Sequence, residues 1–527
     1  MTTELLEIPA RHEARVEPRE GSLTWRASLN LAQSILDYSA RLGVGLVVVP
    51  ILVGGLGRTV FGIWEMLGRL MGYLESTDGR PTQALRLVIS NRQSESDLHA
   101  KRRWIGAALA VWGCFLPLWI GAGALLVWLA PAVTKVEPSL VGTVRIACMV
   151  LMAGVLLAGL GSLPESVLRG MNLGYKRMGL QASLSLAGGA FAAGAVAAGT
   201  GLVGVAAASL ALTALTGLCF LTLSRRQLPW FGIERPRRAD VDSLLRMSLW
   251  IAGGDAVSKL LLASDVIVLG LVLSAGTVTT YVLTGYAALL AVNLHSLAAD
   301  SAIPGLAGII GQRDHQRAVA LRRELLAVTT MFMTAAGTAV LLCNRSFVHL
   351  WVGADNYAGL WTNVLLVVIA VQTTLIRCDS YILDAALQPG QRVRVSAYAA
   401  FVALALSLVL TRYAGMVGLC LGILTGRSIQ TVWYPVLVRR CLTESSDRWL
   451  LRPLVIMGLV FGAASYAGQR LLLEHWVSWA VTVLLSAALA LSIALVWGLP
   501  QDLQAAVRAR LVELTRRLGL PGLRFAR

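Results

Sequence analysis

WIGAALAVWGCFLPLWIGAGALLVWLA, residues 104–130, is a run of 27 residues without a charged side chain. Because an α-helix rises about 1.5 Å per residue, roughly 20 apolar residues are enough to cross the hydrocarbon core of a bilayer. This run is long enough to do so, and it predicts a membrane protein.

The composition of the whole chain supports this interpretation. Of 527 residues, 56% are hydrophobic and only 14% are charged, whereas soluble domains average about 25% charged residues. These figures exclude disorder, a secreted disulfide scaffold and an ordinary cytosolic enzyme. The seven cysteines are scattered without a CxxC pair and are interpreted as small buried residues. Residues 1–28 lack the apolar core of a signal peptide and are expected to form a polar cytoplasmic tail.

Reading outward from residues 104–130 gives twelve clear apolar spans, preceded by two weaker ones that contain charged side chains. Accepting all of them predicts an all-α polytopic membrane protein with about 14 transmembrane helices. The spans are 30–53, 59–77 (the weaker pair), 104–130, 144–168, 178–198, 202–224, 247–273, 277–304, 325–343, 360–386, 395–411, 415–438, 453–471 and 478–498.

The distribution of basic residues predicts the orientation. The chain carries 42 Arg and 4 Lys and a formal net charge of +17. With both termini placed in the cytoplasm, 35 of these 46 basic residues fall in cytoplasmic segments and 6 in outside loops. Basic residues concentrate in cytoplasmic loops of membrane proteins. We therefore expect a multi-pass protein of a bacterial cytoplasmic membrane, and attribute the charge to topology and anionic lipids, not to nucleic acid.

Internal repetition predicts two related halves. The motif Asp37-x3-Arg41 recurs as Asp255-x3-Lys259, and GLVG at 201–204 recurs as GMVG at 415–418. LRGMNLGYKR at 168–177 lies opposite LDAALQPGQR at 383–392. The three offsets are nearly equal, which predicts two parallel six-helix lobes around a central cavity. The expected boundaries are a tail at 1–28, lobes at 29–224 and 247–440, a cytoplasmic linker at 225–246, two extra helices in 441–500, and an amphipathic cytoplasmic tail at 501–527.

Charged residues inside predicted helices are candidates for function, because each costs about 2.5–3.5 kcal/mol or more at mid-bilayer. Three i, i+4 pairs share a helix face and can neutralise themselves: Asp37/Arg41, Glu65/Arg69 and Asp255/Lys259. They either pin helices together or line a hydrated cavity between the lobes. Their repeat-related positions favour the cavity, with cations that bind an anionic headgroup (Arg41, Arg69, Lys259, Arg377) and carboxylates that orient them or bind a coupling ion (Asp37, Glu65, Asp255, Asp265, Asp300).

Motifs of catalysis are missing from the sequence. It contains no GxxxxGK[ST], HExxH or GxSxG, and its loops are too short to hold a separate catalytic domain. We expect no enzyme activity, no catalytic residue, no cofactor and no metal site.

Several stretches resemble one family. GGLGRTVFGIWEMLGRLMGYLESTDGRPTQALRLVISNRQSESD at 54–97, LRGMNLGYKR at 168–177, SDVIVLGLVLSAGTVTTYVLTGYAAL at 264–289 and LWVGADNY at 350–357 resemble polysaccharide transporters, the Wzx-type lipid-linked oligosaccharide flippases. These belong to the multidrug/oligosaccharidyl-lipid/polysaccharide exporter superfamily. Arg80 departs from the pattern, since the family often has an aliphatic residue there.

The resemblance implies a transporter that moves a polyprenyl-diphosphate-linked oligosaccharide by alternating access. Its partners would be this lipid-linked substrate, membrane lipids and, on the C-terminal tail, an enzyme of glycan assembly. Two alternatives remain open. An ion-coupled small-molecule or drug antiporter of the same superfamily is disfavoured by 14 helices instead of 12, and a membrane enzyme of glycan assembly is disfavoured by the short loops.

Overall fold

The computed structural model describes residues 20–92, 97–171, 173, 179–300, 309–310, 312, 314–386, 389–442 and 447–505, without the side chains of 20–35, 262, 298–300 and 389. Within these ranges the secondary structure is entirely helical, as predicted. The helices are α1 (Glu20–Leu56), α2 (Arg58–Ser76), α3 (Pro81–Asn91), α4 (Leu98–Val133), α5 (Val141–Gly170), α6 (Leu180–Ala197), α7 (Gly201–Gln227), α8 (Arg238–Val272), α9 (Ala275–Asp300), α10 (His315–Val352), α11 (Leu360–Ala385), α12 (Pro389–Leu442), α13 (Leu451–Arg470) and α14 (Trp476–Ile493).

Each of the 14 predicted spans coincides with a long helix, and the protein is a multi-pass membrane protein. Eleven helices of the described chain are both long and apolar enough to cross a membrane. One of them, α12, consists of two arms, because the backbone is not helical at Ala414 and Gly415. The remaining two long helices, α2 and α8, are absent from that set. Both carry several charged side chains.

The helices pack as two lobes with a common pattern. In the first lobe α1 packs on α6 and α5 on α7, and in the second α8 and α11 both pack on α12. The extra helices α13 and α14 both pack against α10. The connection between α7 and α8 defines one side of the molecule, which we call the linker side; the opposite side is called the far side.

The repeated glycine motif has the same backbone conformation in both halves. Gly201 begins α7 with a φ of 62°, and Gly415 separates the two arms of α12 with a φ of 56°. Glycine adopts positive φ without the steric penalty of a side chain. Both motifs therefore begin at a glycine with positive φ, and the lobe boundaries stay a prediction.

Glycines also allow the two arms of α12 to approach closely. Gly418, Gly422 and Gly426 recur every four residues, so they lie on one face of the second arm. A Cβ at Gly422 would lie 2.5 Å from the backbone nitrogen of Ser407 on the first arm, and one at Gly426 would overlap Ala403. Small residues in this spacing let membrane helices make backbone contact.

We expect Gly422→Val to destabilise the protein, because the added side chain must separate the two arms; overpacking costs about 1–3 kcal/mol. The measurement is the apparent melting temperature of the purified protein in detergent. Gly458→Val is the matched control, since no atom lies within 4 Å of a Cβ at that position in α13. Equal melting temperatures for the two variants would contradict the close packing.

The predicted linker is docked on the first lobe. Arg102 at the start of α4 donates from Nε to the carbonyl oxygen of Trp230 at 2.7 Å. His99 Nδ1 lies 2.8 Å from Glu234 Oε1, and hydrogen bonds from His99 and Arg102 hold the pKa of the Glu234 carboxyl below its usual value. A Cβ at Gly106 would overlap the carbonyl oxygen of Glu234. The linker is therefore a fixed part of the first lobe's linker-side surface.

A buried ion pair ties the second lobe to the segment before α13. The side chain of Arg322 is 1% exposed. Its Nε donates to Asp379 Oδ1 at 2.9 Å, and its two terminal nitrogens donate to the two oxygens of Asp447 at 2.6 and 3.1 Å. Removing one member of a buried pair leaves an uncompensated charge. This cluster is a structural element that joins α10, α11 and the extra helices.

Several predictions lie outside the described residues. They concern most of the N-terminal tail, residues 172 and 174–178 in and beside the LRGMNLGYKR stretch, and residues 506–527 of the amphipathic tail. The side chain of Asp300 is also outside the description.

Candidate functional site

The two lobes meet along α2, and their contacts begin at its far-side end. Arg58 donates from Nη2 to Thr280 Oγ1 at 2.8 Å, and Thr279 Oγ1 donates to the carbonyl oxygen of Arg58 at 2.6 Å. Gly62 leaves room for the backbone of Ala275, which a Cβ would overlap. Lys135 from the α4–α5 loop donates to the carbonyl oxygen of Val272 at 3.1 Å. On this side the first lobe is hydrogen-bonded to the turn between α8 and α9.

A second set of contacts lies at the other end of α2, and we call it the linker-side ion cluster (Glu75, Arg80, Asp255 and Lys259). Arg80 Nη2 lies 2.7 Å from Asp255 Oδ2, and Lys259 Nζ lies 3.3 Å from Glu75 Oε2 and 3.5 Å from Asp255 Oδ2. Lys259 also donates to the carbonyl oxygen of Gly72. Each cation therefore bridges the two lobes, and the lobes are in contact at both ends of α2.

Local backbone geometry positions Arg80 for this cluster. Arg80 follows α2 in a left-handed conformation with a φ of 51°, and its backbone nitrogen donates to Asp78 Oδ1 at 2.8 Å. Gly79 faces Phe115 of α4 so closely that a Cβ would lie 2.5 Å from the ring atom Cδ2. Burial raises the pKa of the Asp78 carboxyl, while the hydrogen bond from Arg80 opposes this effect. The turn thus aims Arg80 at α8.

Between these two contacts, α2 presents a charged middle section. Glu65, Arg69 and Tyr73 follow one another at single helical turns and share one face. Glu65 and Arg69 influence one another electrostatically, but their charged atoms are not within the 4.0 Å of an ion pair. Arg69 makes no ion pair with any residue that the structure describes. Tyr73 donates to the carbonyl oxygen of Lys259 at 3.1 Å.

Helix α1 also contacts the second lobe, through α9. Tyr38 donates to the carbonyl oxygen of Leu290 on α9 at 3.1 Å, and the hydroxyl of Tyr286 on α9 touches Gly45. Arg41, on the same side of α1 as Tyr38 and Gly45, is exposed and makes no ion pair within the described part of the chain. Asp37, one turn before it, is half-buried.

Asp265 and Arg377 belong to the second lobe. Asp265 Oδ2 accepts a hydrogen bond from Tyr281 at 3.1 Å, and it acts electrostatically on both Tyr73 of α2 and Arg427 of α12. Arg377 donates to Ser296 Oγ of α9. It lines a cavity inside the second lobe instead of the space between the lobes.

An apolar groove with a volume of about 580 Å³ begins beside Arg41, at Leu42 of α1. Its walls come from α1, α9, α10 and α14, which include Leu42, Leu290, Ala336 and Ala487. Aromatic side chains close its far-side end, where the rings of Phe347 and Trp351 stack with centroids 5.0 Å apart and Trp476 and Trp479 join them. The extra helix α14 therefore creates a surface that the two lobes alone would not have.

The predicted site residues separate into three places. Arg41 lies on the side of α1 that contacts α9, Glu65 and Arg69 lie in the middle of α2 between its two contacts with the second lobe, and Asp265 lies on α8. Lys259 and Asp255 form the predicted i, i+4 pair, but within the linker-side ion cluster, so Lys259 is not the free cation that the sequence suggested. The other two proposed pairs do not close to ion-pair distance. Arg377 lies in the second lobe.

Sequence analysis missed Glu75 and Arg427 as site residues, and it noted Arg80 only as a departure from a family pattern. That departure was the one available signal for the linker-side ion cluster, because a charged side chain replaces an aliphatic one at the end of α2.

A family model described as polysaccharide biosynthesis protein matches residues 30–309, which is more than half of the chain. The chain belongs to this family. A search of curated protein sequences gave no match.

Solved transporter structures share the fold of this family member. A structure of "Lipid II flippase MurJ, inward closed conformation" matches with a TM-score of 0.65 and 13% identity, over 88% of this chain and 98% of that one. An inward-facing multidrug resistance MATE family transporter of the MOP superfamily matches with a TM-score of 0.62 and 13% identity, over 78% and 100%. An outward-facing one matches with a TM-score of 0.54 and 15% identity, over 80% and 97%.

The chain is therefore a member of the polysaccharide biosynthesis protein family, and its fold is the one these solved transporters have. The resemblance noted in the sequence is thereby confirmed. The fold likeness is shared by a lipid flippase and by multidrug transporters, so it does not choose between these two activities.

We expect Arg80 and Asp255 to be coupled energetically, because they form the shortest ion pair between the lobes. In a double-mutant cycle of Arg80→Ala and Asp255→Ala, followed by thermal unfolding, the coupling should be about 0.5–3 kcal/mol. Arg225→Ala, an exposed arginine at the linker-side end of α7, paired with Asp255→Ala is the control. Additive effects of Arg80→Ala and Asp255→Ala would show that the two side chains do not interact.

Proposed function

We propose that this protein flips a polyprenyl-diphosphate-linked oligosaccharide across the bacterial cytoplasmic membrane by alternating access, for export of a surface polysaccharide. The observation that carries the proposal is the direct junction of a cationic space with an apolar groove. On α1, Arg41 is exposed and the next residue, Leu42, lines the groove.

Such a junction suits an amphiphile. A diphosphate headgroup needs cations, and arginine binds phosphate oxygens in a bidentate manner. Neither Arg41 nor Arg69 forms an ion pair with a carboxylate that the structure describes. A long isoprenoid chain needs an apolar surface, which the groove offers from the middle of the molecule to its aromatic end. A small polar solute requires the cations but not the apolar surface.

The predicted orientation places the linker side in the cytoplasm, since 35 of the 46 basic residues lie there. The linker-side ion cluster is then the cytoplasmic gate. An incoming diphosphate competes with Asp255 and Glu75 for Arg80 and Lys259, and this exchange of partners weakens the contact between α2 and α8. The hydrogen bonds of Arg58 and Lys135 form the corresponding gate on the far side.

The energy for transport would come from the membrane. An inside-negative potential of 100 mV is worth about 2.3 kcal/mol for each elementary charge that crosses it. Outward movement of an anionic headgroup is therefore favoured without a nucleotide site, and Glu65 and Asp265 are the carboxylates placed to bind a coupling ion.

Replacing the headgroup cations is expected to abolish transport. Arg41→Gln and Arg69→Gln each remove a charge-assisted contact to phosphate, which corresponds to a loss of about tenfold or more in activity. The measurement is the accumulation of lipid-linked repeat units in the cytoplasmic leaflet of cells whose own gene is deleted. Arg412→Gln, on the far-side turn, is the control for expression. Normal export by both variants would mean that these arginines are structural.

Filling the groove distinguishes this function from the second candidate, an antiporter for small molecules, which the fold likeness to multidrug transporters favours. Ala487→Phe places a ring in the groove, whereas Ala488→Phe, on the next residue of α14, points to its exposed side. A flippase should lose transport in Ala487→Phe alone, because the isoprenoid chain loses its surface. If Ala487→Phe and Ala488→Phe transport the lipid-linked sugar equally, the groove has no part in binding it. If the protein instead drives ion-coupled efflux of a dye, and neither Ala487→Phe nor Ala488→Phe changes that efflux, the protein is an antiporter.

A further inference from the structure

The second lobe contains a cavity of its own, separate from the space between the lobes. It has a volume of about 250 Å³ and lies between α8, α11 and both arms of α12, in the linker-side half of these helices. None of its lining residues comes from the first lobe. A single water molecule occupies only about 10–15 Å³ of such cavity volume. The cavity therefore has room for a polyatomic ligand with water around it.

Three arginines from different helical segments line this cavity. They are Arg377 of α11, Arg392 of the first arm of α12 and Arg427 of the second arm. The lining contains no carboxylate among the residues that the structure describes. Of these three, only Arg392 has an ion-pair partner within the described ranges, Asp384 at the end of α11.

The other two arginines are held by neutral oxygens. Arg427, which is 7% exposed, donates to Thr373 Oγ1 at 2.6 Å and to the carbonyl oxygen of Leu261 at 2.8 Å. Arg377 donates to Ser296 Oγ. These contacts use part of the five N–H donors of each guanidinium, so both arginines keep donors available to the cavity they line.

Arg377 and Arg427 line the same cavity, and each carries a positive charge. Asp265 of α8 accepts a hydrogen bond from Tyr281 and does not line the cavity. Like charges buried together are strongly unfavourable unless a counter-charge accompanies them. Three arginines and no described carboxylate therefore line this cavity, and an anion is the ligand that would compensate them.

Neutral donors complete the lining and indicate the kind of anion. Ser396 Oγ and the hydroxyl of Tyr434 lie 2.6 Å apart, and Gln430 Nε2 donates to both of them. Ser258 and Ser380 add further hydroxyls. Several guanidinium groups together with hydroxyls match a tetrahedral oxyanion, whose oxygens accept many hydrogen bonds, better than a monatomic ion.

From this arrangement we infer that the cavity of the second lobe is a binding site for a phosphate-class oxyanion, held by Arg377, Arg392 and Arg427. The inference does not rest on the proposed transport function, because inorganic phosphate alone can test it. The oxyanion has two sources in a cell: free phosphate and the diphosphate of an isoprenoid lipid.

The test uses the purified full-length protein in detergent, with inorganic phosphate in one arm and a short-chain isoprenyl diphosphate in the other. Binding is measured by calorimetry and by the rise in melting temperature. Arg377→Gln and Arg427→Gln should each weaken binding about tenfold or more, and Arg412→Gln, outside the cavity, should leave it unchanged. A response to phosphate identifies the free anion as a source, and a response to the isoprenyl diphosphate alone identifies the lipid; both support the oxyanion site.

A second variant keeps the test decisive if the arginine variants do not fold. Gln430→Glu introduces a carboxylate of the same size beside the arginines, and the hydroxyls of Ser396 and Tyr434 can donate to it. It should raise the melting temperature of the anion-free protein and remove the response to phosphate. If neither ligand binds the unmodified protein, or if phosphate binds Gln430→Glu as well as the original chain, the inference is wrong.

Discussion

Charge inside the bilayer is the constraint on which this structure depends. A charged side chain in the middle of a membrane helix is unfavourable unless a partner or water compensates it, and α2 and α8 carry several. The structure places these two helices face to face, so that Arg80 and Lys259 meet Asp255 and Glu75 across the boundary between the lobes. The same side chains that make the helices poor membrane spans on their own hold the two lobes together.

The other cationic features of the structure arise where an arginine lacks a partner of opposite charge. Arg41 and Arg69 lie between the lobes without an ion-pair partner in the described chain, beside an apolar groove that α14 completes. Arg377 and Arg427 face a second cavity whose lining is neutral apart from the arginines. Cationic side chains are thus concentrated at two places, and each of them is suited to an anionic group.

Much of the fold was predictable from the sequence, because hydrophobic length and glycine positions are local properties. The 14 spans, the recurrence of GLVG as GMVG, and the two-lobe pattern all came from periodicity and repetition. The roles of individual charges were less accessible. The spacing of Asp255 and Lys259 predicted their pairing, but their contacts with Glu75 and Arg80 join residues about 175–185 positions apart, which no local pattern contains. The Asp37/Arg41 and Glu65/Arg69 spacings predicted pairs that do not form.

The sequence by itself determined that this chain is an all-helical membrane protein with two related lobes and two extra helices, because the bilayer forces every span to be long, apolar and internally hydrogen-bonded. Only the tertiary structure decided which charges are neutralised and which face a cavity. Helix periodicity predicts which residues share a face. Which helix packs against that face depends on contacts between distant parts of the chain. In an apolar medium, the position of the nearest opposite charge then decides what each arginine can bind.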